Sequence, residues 1–121
     1  MAKVYVINKG GHDYSDAKRF GELHFLSEGP ISKFAISKIY RDFAMTLRES
    51  APTDYILLTG LTVMACIACS CFSFLHSGKL NLLLFKNGKY IERKLMIADL
   101  LTKDLNKSIT KAEQIVELIE K

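Results

Sequence analysis

The sequence predicts an α/β domain with a mostly parallel sheet closed at one edge by a C-terminal β-hairpin, and three features predict it. Short apolar runs alternate with segments of helical period over residues 1–95, as in strands joined by crossover helices. The runs at 4–7, 55–58 and 80–85 are dominated by apolar residues, as expected of strands covered on both faces. Asn87-Gly88, between two strand-like runs, is the strongest hairpin signal in the chain.

The elements follow in order. Residues 4–7 form a first strand that stops at Asn8-Lys9-Gly10-Gly11, and residues 15–20 are polar and compatible with a helix. Residues 23–26 form a second strand, stopped by Ser27-Glu28-Gly29-Pro30. Pro30 suits the first turn of a helix, where its missing N–H is not needed, so a helix is expected from Ile31 to about Glu49. Its expected buried face is Ile36, Tyr40, Phe43 and Leu47, at spacings of four, three and four. After the break at Ala51-Pro52-Thr53-Asp54 come a third strand at 55–58 and a helix at 62–75. That helix is apolar nearly all round, which predicts central burial, and Ser77-Gly78 ends it. The fourth strand is 80–85, and 89–95 is half polar, with Lys89, Glu92, Arg93 and Lys94, as an edge strand should be.

Residues 96–121 are read as a C-terminal helical extension to a core domain of residues 1–95. Residues 96–105 can form a helix, and Thr110 and Glu113 have capping-box spacing. Ile109, Ala112, Val116 and Ile119 make a seam that docks on the body or pairs with a second copy. One connection is tight: from Ile7 to Leu23 there is just enough chain for a parallel crossover, and without a helix there the first two strands are expected to pair antiparallel.

Composition excludes several classes. With 121 residues, 49% hydrophobic and 25% charged, the chain is one domain's worth of globular protein, neither disordered nor fibrous. The net charge of +4 is spread as +2 over residues 1–50, +3 over 51–95 and −1 over 96–121. No segment carries the dense basic stripe of a duplex binder, so small anions are expected as ligands and specific nucleic-acid binding is not. Cys66, Cys69 and Cys71 are an odd, clustered set in an apolar run, and no secretory leader is read, which points to a reducing, cytoplasmic setting. No His or acid lies within that run to complete a zinc shell, so the three are expected to be buried small hydrophobes. Residues 55–75 lack charge, but Thr59, Gly60 and Thr62 interrupt them, which favours strand, turn and helix over a membrane span.

The chemistry is expected where strands of an open parallel sheet run out into helix N-termini. Three such loops are readable: Asn8 to Ser15, Ser27 to Pro30, and Thr59 to Thr62. Lys9, Gly10, Gly11, Ser15, Ser27, Gly29, Thr59, Gly60 and Thr62 are the candidate ligand-binding residues. Glycines let backbone N–H groups approach an anion closely, and hydroxyls and a lysine add donors. His12 and Asp13 are the candidate catalytic pair, His12 as general acid/base or phosphate donor. Asp13 or Asp16 is placed to coordinate a Mg2+ carried by a phosphorylated ligand; no protein-only metal site is expected. Asp13 or Ser15 can equally be a helix N-cap, and His24 and His76 read as structural.

No P-loop, dinucleotide fingerprint, nucleophile elbow or glycosidase-like carboxylate pair is present. The alternation of elements resembles small Rossmann-like and flavodoxin-like domains, a likeness of architecture that carries no residue across. The expected function is a module binding a nucleotide or other phosphorylated small molecule, with at most weak phosphodiesterase-type activity. The alternative is a structural or interaction protein that assembles through its C-terminal helices, as a homo-oligomer or with a partner.

Overall fold

A computed structural model describes residues 1–97 together with 99 and 101. The strands are β1 (Lys3–Val6), β2 (Glu22–Phe25), β3 (Tyr55–Leu57), β4 (Lys79–Lys86) and β5 (Lys89–Met96). Between them lie a 3-10 helix (Ser15–Arg19), α1 (Ile36–Leu47) and α2 (Thr62–Leu75). They build one five-stranded sheet in the order β2-β1-β3-β4-β5. Neighbours among β1 to β4 are parallel, and β5 returns antiparallel on β4, pairing Leu80 with Leu95 and Phe85 with Tyr90. The α/β class, the mostly parallel sheet and the hairpin edge are as the sequence predicts.

The apolar run at the start explains the centre of the sheet. Val4, Tyr5, Val6 and Ile7 are all buried, and their side chains alternate between two cores. Tyr5, Ile7, Ile56 and Leu80 face α1 and α2, where they meet Ile39, Phe43, Leu47, Met64, Ala68 and Phe72. Val4, Val6, Leu57 and Leu83 face the opposite way, toward Tyr14, Ala17 and Tyr90. Each fully buried aliphatic or aromatic side chain contributes roughly 1.5–3 kcal/mol relative to exposure.

The tight crossover resolves in favour of parallel pairing. The 3-10 helix replaces the expected helical segment at 15–20, and β2 enters directly alongside residue 2. Gly21 makes this possible, since a Cβ there would lie 2.1 Å from the Ala2 carbonyl oxygen, while the Glu22 N–H donates to that same oxygen at 3.1 Å. Asp16 then ties the 3-10 helix to the far edge of the sheet by accepting the Tyr90 N–H at 2.7 Å, and Arg19 donates to the Tyr90 carbonyl. At the opposite end of the strands, the buried Asp54 carboxylate accepts the N–H groups of Lys3 and Ala51. Asn81 donates to the carbonyls of Pro52 and Asp54.

Three expectations need correction. The helix after β2 starts at Ile36 and not at Ile31, leaving Pro30 outside it. Its buried side is Ile39, Phe43 and Leu47, whereas Ile36 and Tyr40 are exposed. The expected spacing is compatible with either arc of the helix, and the sheet selects the one a residue away. The helix at 62–75 has the expected bounds but is not centrally buried: Met64, Ala68 and Phe72 face the sheet, and Phe74 is 89% exposed. A largely apolar helix therefore covers one face of an open sheet, and no other described residue covers its outer side. Finally, Cys66 is exposed and Cys69 and Cys71 half-buried, so the cysteines are not all core residues. Burial pushes the Cys69 thiol up to about 11 and raises that of Cys71, which keeps both protonated and weakly nucleophilic at neutral pH. No helix among the described residues is long and apolar enough to cross a membrane. The capping box and the 109–119 seam lie outside the described residues.

Candidate functional site

Because β1, β2 and β3 are parallel, the three loops named from the sequence leave the same edge of the sheet. The chain leaves β1 toward the core of Tyr14 and Ala17, and leaves β3 toward α2 on the other face. The gap between the ends of these two neighbouring strands is where an open α/β sheet offers a crevice. A cavity of about 290 Å³ lies there, lined by His12, Asp13, Tyr14, Leu58, Thr59, Phe85 and Tyr90.

The loop after β1 is organised by its own polar groups. The Tyr14 hydroxyl accepts the Gly10 N–H at 3.0 Å and donates to the Asn8 carbonyl at 3.2 Å, closing residues 8–14 into a ring. The Asp13 carboxylate accepts the Ser15 N–H at 2.9 Å, an Asx turn leading into the 3-10 helix. That bond is the main cause holding the Asp13 carboxyl below its ordinary range, so it is ionised at neutral pH. His12 is exposed on this loop, its ring edge-on to Tyr14 with centroids 6.3 Å apart. The donors left to the loop for a bound anion are the N–H groups of His12 to Tyr14 and the His12 ring.

The loop after β3 reaches this place because Gly60 lets it. Gly60 has φ +87°, and a Cβ would lie 2.7 Å from Met64 Cε and 2.9 Å from Asn8 Cβ. The two loops thus touch through a glycine, with Thr59 on the cavity side. Helix α2 starts three residues on, and its N-cap Leu61 offers no side-chain acceptor to the first N–H groups.

The remaining candidates are placed otherwise. Lys9 joins a bridge to Glu28 that extends the β1–β2 ladder; its ammonium stands 5.1 Å from the Phe25 ring centroid and 4.0 Å from Glu28. The Ser27 hydroxyl is committed to the Ile7 carbonyl at 2.6 Å, and the Gly29 carbonyl accepts the Asn8 amide at 3.2 Å. Ser27 lines a second cavity of about 430 Å³ with Glu28, Pro30, Ser32, Lys38 and Asp42, while Gly29 closes the loop beside it. There Lys38 is paired with Asp42 at 2.7 Å. Asp16 is held by Tyr90 and Arg19, so of the two expected Mg2+ ligands Asp13 alone reaches the cavity. Gly10, Gly11, Ser15, Gly60 and Thr62 shape the loops without lining it. No group of three or more His, Cys, Asp or Glu side chains among the described residues could hold a metal ion.

Four lining residues were not among the sequence candidates: Tyr14, Leu58, Phe85 and Tyr90. A signal existed for two of them. A two-residue Asn-Gly turn places 85 opposite 90, and the two rings meet at 5.1 Å as an aromatic wall. Tyr14 gave no such signal, because its role is to bond backbone groups of its own loop.

Residues 2–97 match the family described as phage Pam3 gp32-like protein. The chain belongs to this family. The match runs from the residue before β1 to the residue after β5, so the family's unit includes the whole sheet and all three loops. No curated protein and no solved structure matches the chain.

Proposed function

We propose that the protein is a binding module for a small phosphorylated ligand, a nucleotide or a simpler phosphate ester, seated between the loops after β1 and β3. The observation that carries this reading is the cavity itself: it lies between two neighbouring parallel strands whose following segments leave on opposite faces, and it gathers His12, Asp13 and Thr59 from two loops. In this reading the strand order and the helices on one face are a reduced Rossmann-like or flavodoxin-like layering, with β5 antiparallel and a 3-10 helix as the second layer. The three free thiols fit a reducing, cytoplasmic setting.

Roles follow from the chemistry. Backbone N–H groups of residues 12–14 and the Thr59 hydroxyl donate to phosphate oxygens, and His12 adds a donor that becomes cationic when protonated. An ionised Asp13 repels a bare phosphate, so the ligand binds as its Mg2+ complex, with one protein carboxylate and the phosphate oxygens sharing the ion. Tyr90 and Phe85 supply an apolar wall. Beside His12 and Asp13 the cavity lining holds no cysteine or serine nucleophile, so the reading is binding, with hydrolysis at most weak.

Thermal unfolding in a panel of nucleotides, sugar phosphates and inorganic phosphate tests it. A binder at a hundred dissociation constants gains about 2.7 kcal/mol, several degrees in Tm for a chain of this size. A Tm unchanged by every compound at millimolar concentration, with and without Mg2+, contradicts the reading. A second reading, an interaction protein, is favoured by a separate observation: Ile36, Tyr40, Met45 and Phe74 on the two helices, and Phe34 just before α1, are all exposed.

A further inference from the structure

The outer side of the helical layer carries an apolar groove of about 570 Å³, where Tyr40, Ala44 and Arg48 of α1 face Cys71, Phe74 and Leu75 of α2. Most of its accessible lining is carbon, and Phe74 at its rim is the most exposed aromatic side chain among the described residues. An open apolar groove of this kind in so small a domain marks a surface that something covers.

We propose that the groove is the docking site of residues 98–121 of the same chain. Three observations select this occupant over a foreign partner. The first is where the chain leaves the sheet. Beyond β5, the Ile97 N–H donates to the Gly78 carbonyl at 3.0 Å and the Ile97 side chain packs on the core shared by α1 and α2. Gly78 is three residues beyond Leu75, which lines the groove, so the following segment starts at the groove's end on the correct face of the sheet.

The second is length. On a helix, Tyr40 to Arg48 spans about 12 Å and the seam from Ile109 to Ile119 about 15 Å, so one matches the other. Ile97, Asp99 and Leu101 are helical, and the eight residues from Leu101 to Ile109 reach at most about 27 Å when extended, enough to bring the seam onto the groove.

The third is charge. Arg48 lines the groove, and Arg41, one heptad before it, lies on the same stripe of α1. Glu113, Glu117 and Glu120 are spaced by four and three, which on a helix sets an acidic stripe beside the apolar seam. An apolar stripe flanked by acids thus meets an apolar groove flanked by arginines. The tether adds an effective concentration in the millimolar range, which a free partner must exceed.

Cys71 lies in the groove and reports on its cover. In the full-length chain with Cys66→Ser and Cys69→Ser, the remaining thiol is labelled with a small maleimide, and the rate is compared with Val116→Asp/Ile119→Asp and with Phe74→Ser. The intact seam is expected to slow labelling at least about tenfold relative to both variants, independently of protein concentration. Equal rates in all three overturn the proposal. Protection that rises with protein concentration also overturns it, because the groove is then covered by a second copy. The test is independent of the ligand cavity, which lies between the loops after β1 and β3 and contains no cysteine.

Discussion

Gly60 is the residue on which the candidate site depends most sharply. Its φ of +87° and the close approach of Met64 and Asn8 leave no room for a side chain, so Gly60→Val is expected to lower stability by at least about 1–3 kcal/mol and separate the two loops. Gly11 is the contrast. A Cβ there meets nothing within 4 Å, so Gly11→Val should leave stability nearly unchanged. Chemical denaturation of the two variants side by side checks both statements. His76 gives a pH prediction. Its ring lies 4.4 Å from Phe72 and bonds Ser50 at 2.7 Å, and burial, with Lys79 adding to it and Asp54 opposing, holds its pKa below the ordinary 6.5. A depressed histidine favours the fold while neutral. Its contribution is therefore complete above about pH 6.5 and is lost as pH falls through the folded value. Replacing His76 with Gln should flatten the loss of Tm between neutral and mildly acidic pH; an unchanged slope would contradict this.

At the scale of elements, α2 separates what sequence pattern encodes from what it leaves open. Its bounds are legible because Thr62 follows a glycine turn and Ser77-Gly78, both at positive φ, stop it. Its depth of burial is not, since an apolar residue reads the same whether it faces a sheet or an uncovered groove. Phe72 and Phe74 test the difference directly. Phe72→Ala should cost about 3–5 kcal/mol and Phe74→Ala clearly less, only what its contact with residues 98–121 contributes, whereas a centrally buried helix would lose as much at both. The same ambiguity explains α1: a four-three-four spacing fixes a helix, but the choice between Tyr40 and Ile39 as the inward residue depends on where β1 and β3 lie. The crossover before β2 was undecided for a different reason. Its resolution depends on Gly21 passing against the Ala2 carbonyl, a backbone contact that leaves no periodic trace in sequence.

At the scale of the whole molecule, the parallel order of β1, β3 and β4 determines which loops can cooperate, and it brings the first and third together while giving Ser27 a cavity of its own. The pairing of His12 and Asp13 with Thr59 was legible because loops after parallel strands share an edge. The internal commitments of Gly10, Ser15 and Ser27 were not, because they depend on the Tyr14 hydroxyl, the Asp13 carboxylate and the Ile7 carbonyl folding onto those groups. Within the cavity, His12→Ala should spare the fold and weaken a ligand by about 1–3 kcal/mol, the cost of a charge-assisted bond left unmade, as titration calorimetry would read it. Asp13→Asn should remove the dependence of affinity on Mg2+. The most direct measurement is a residue-resolved amide NMR titration of the full chain with a Mg2+–nucleotide complex. Saturable shifts concentrated at residues 12–14 and at Thr59 are the result expected. Shifts concentrated at residues 40–48 and 71–75, or none at any residue, would contradict the assignment of the site.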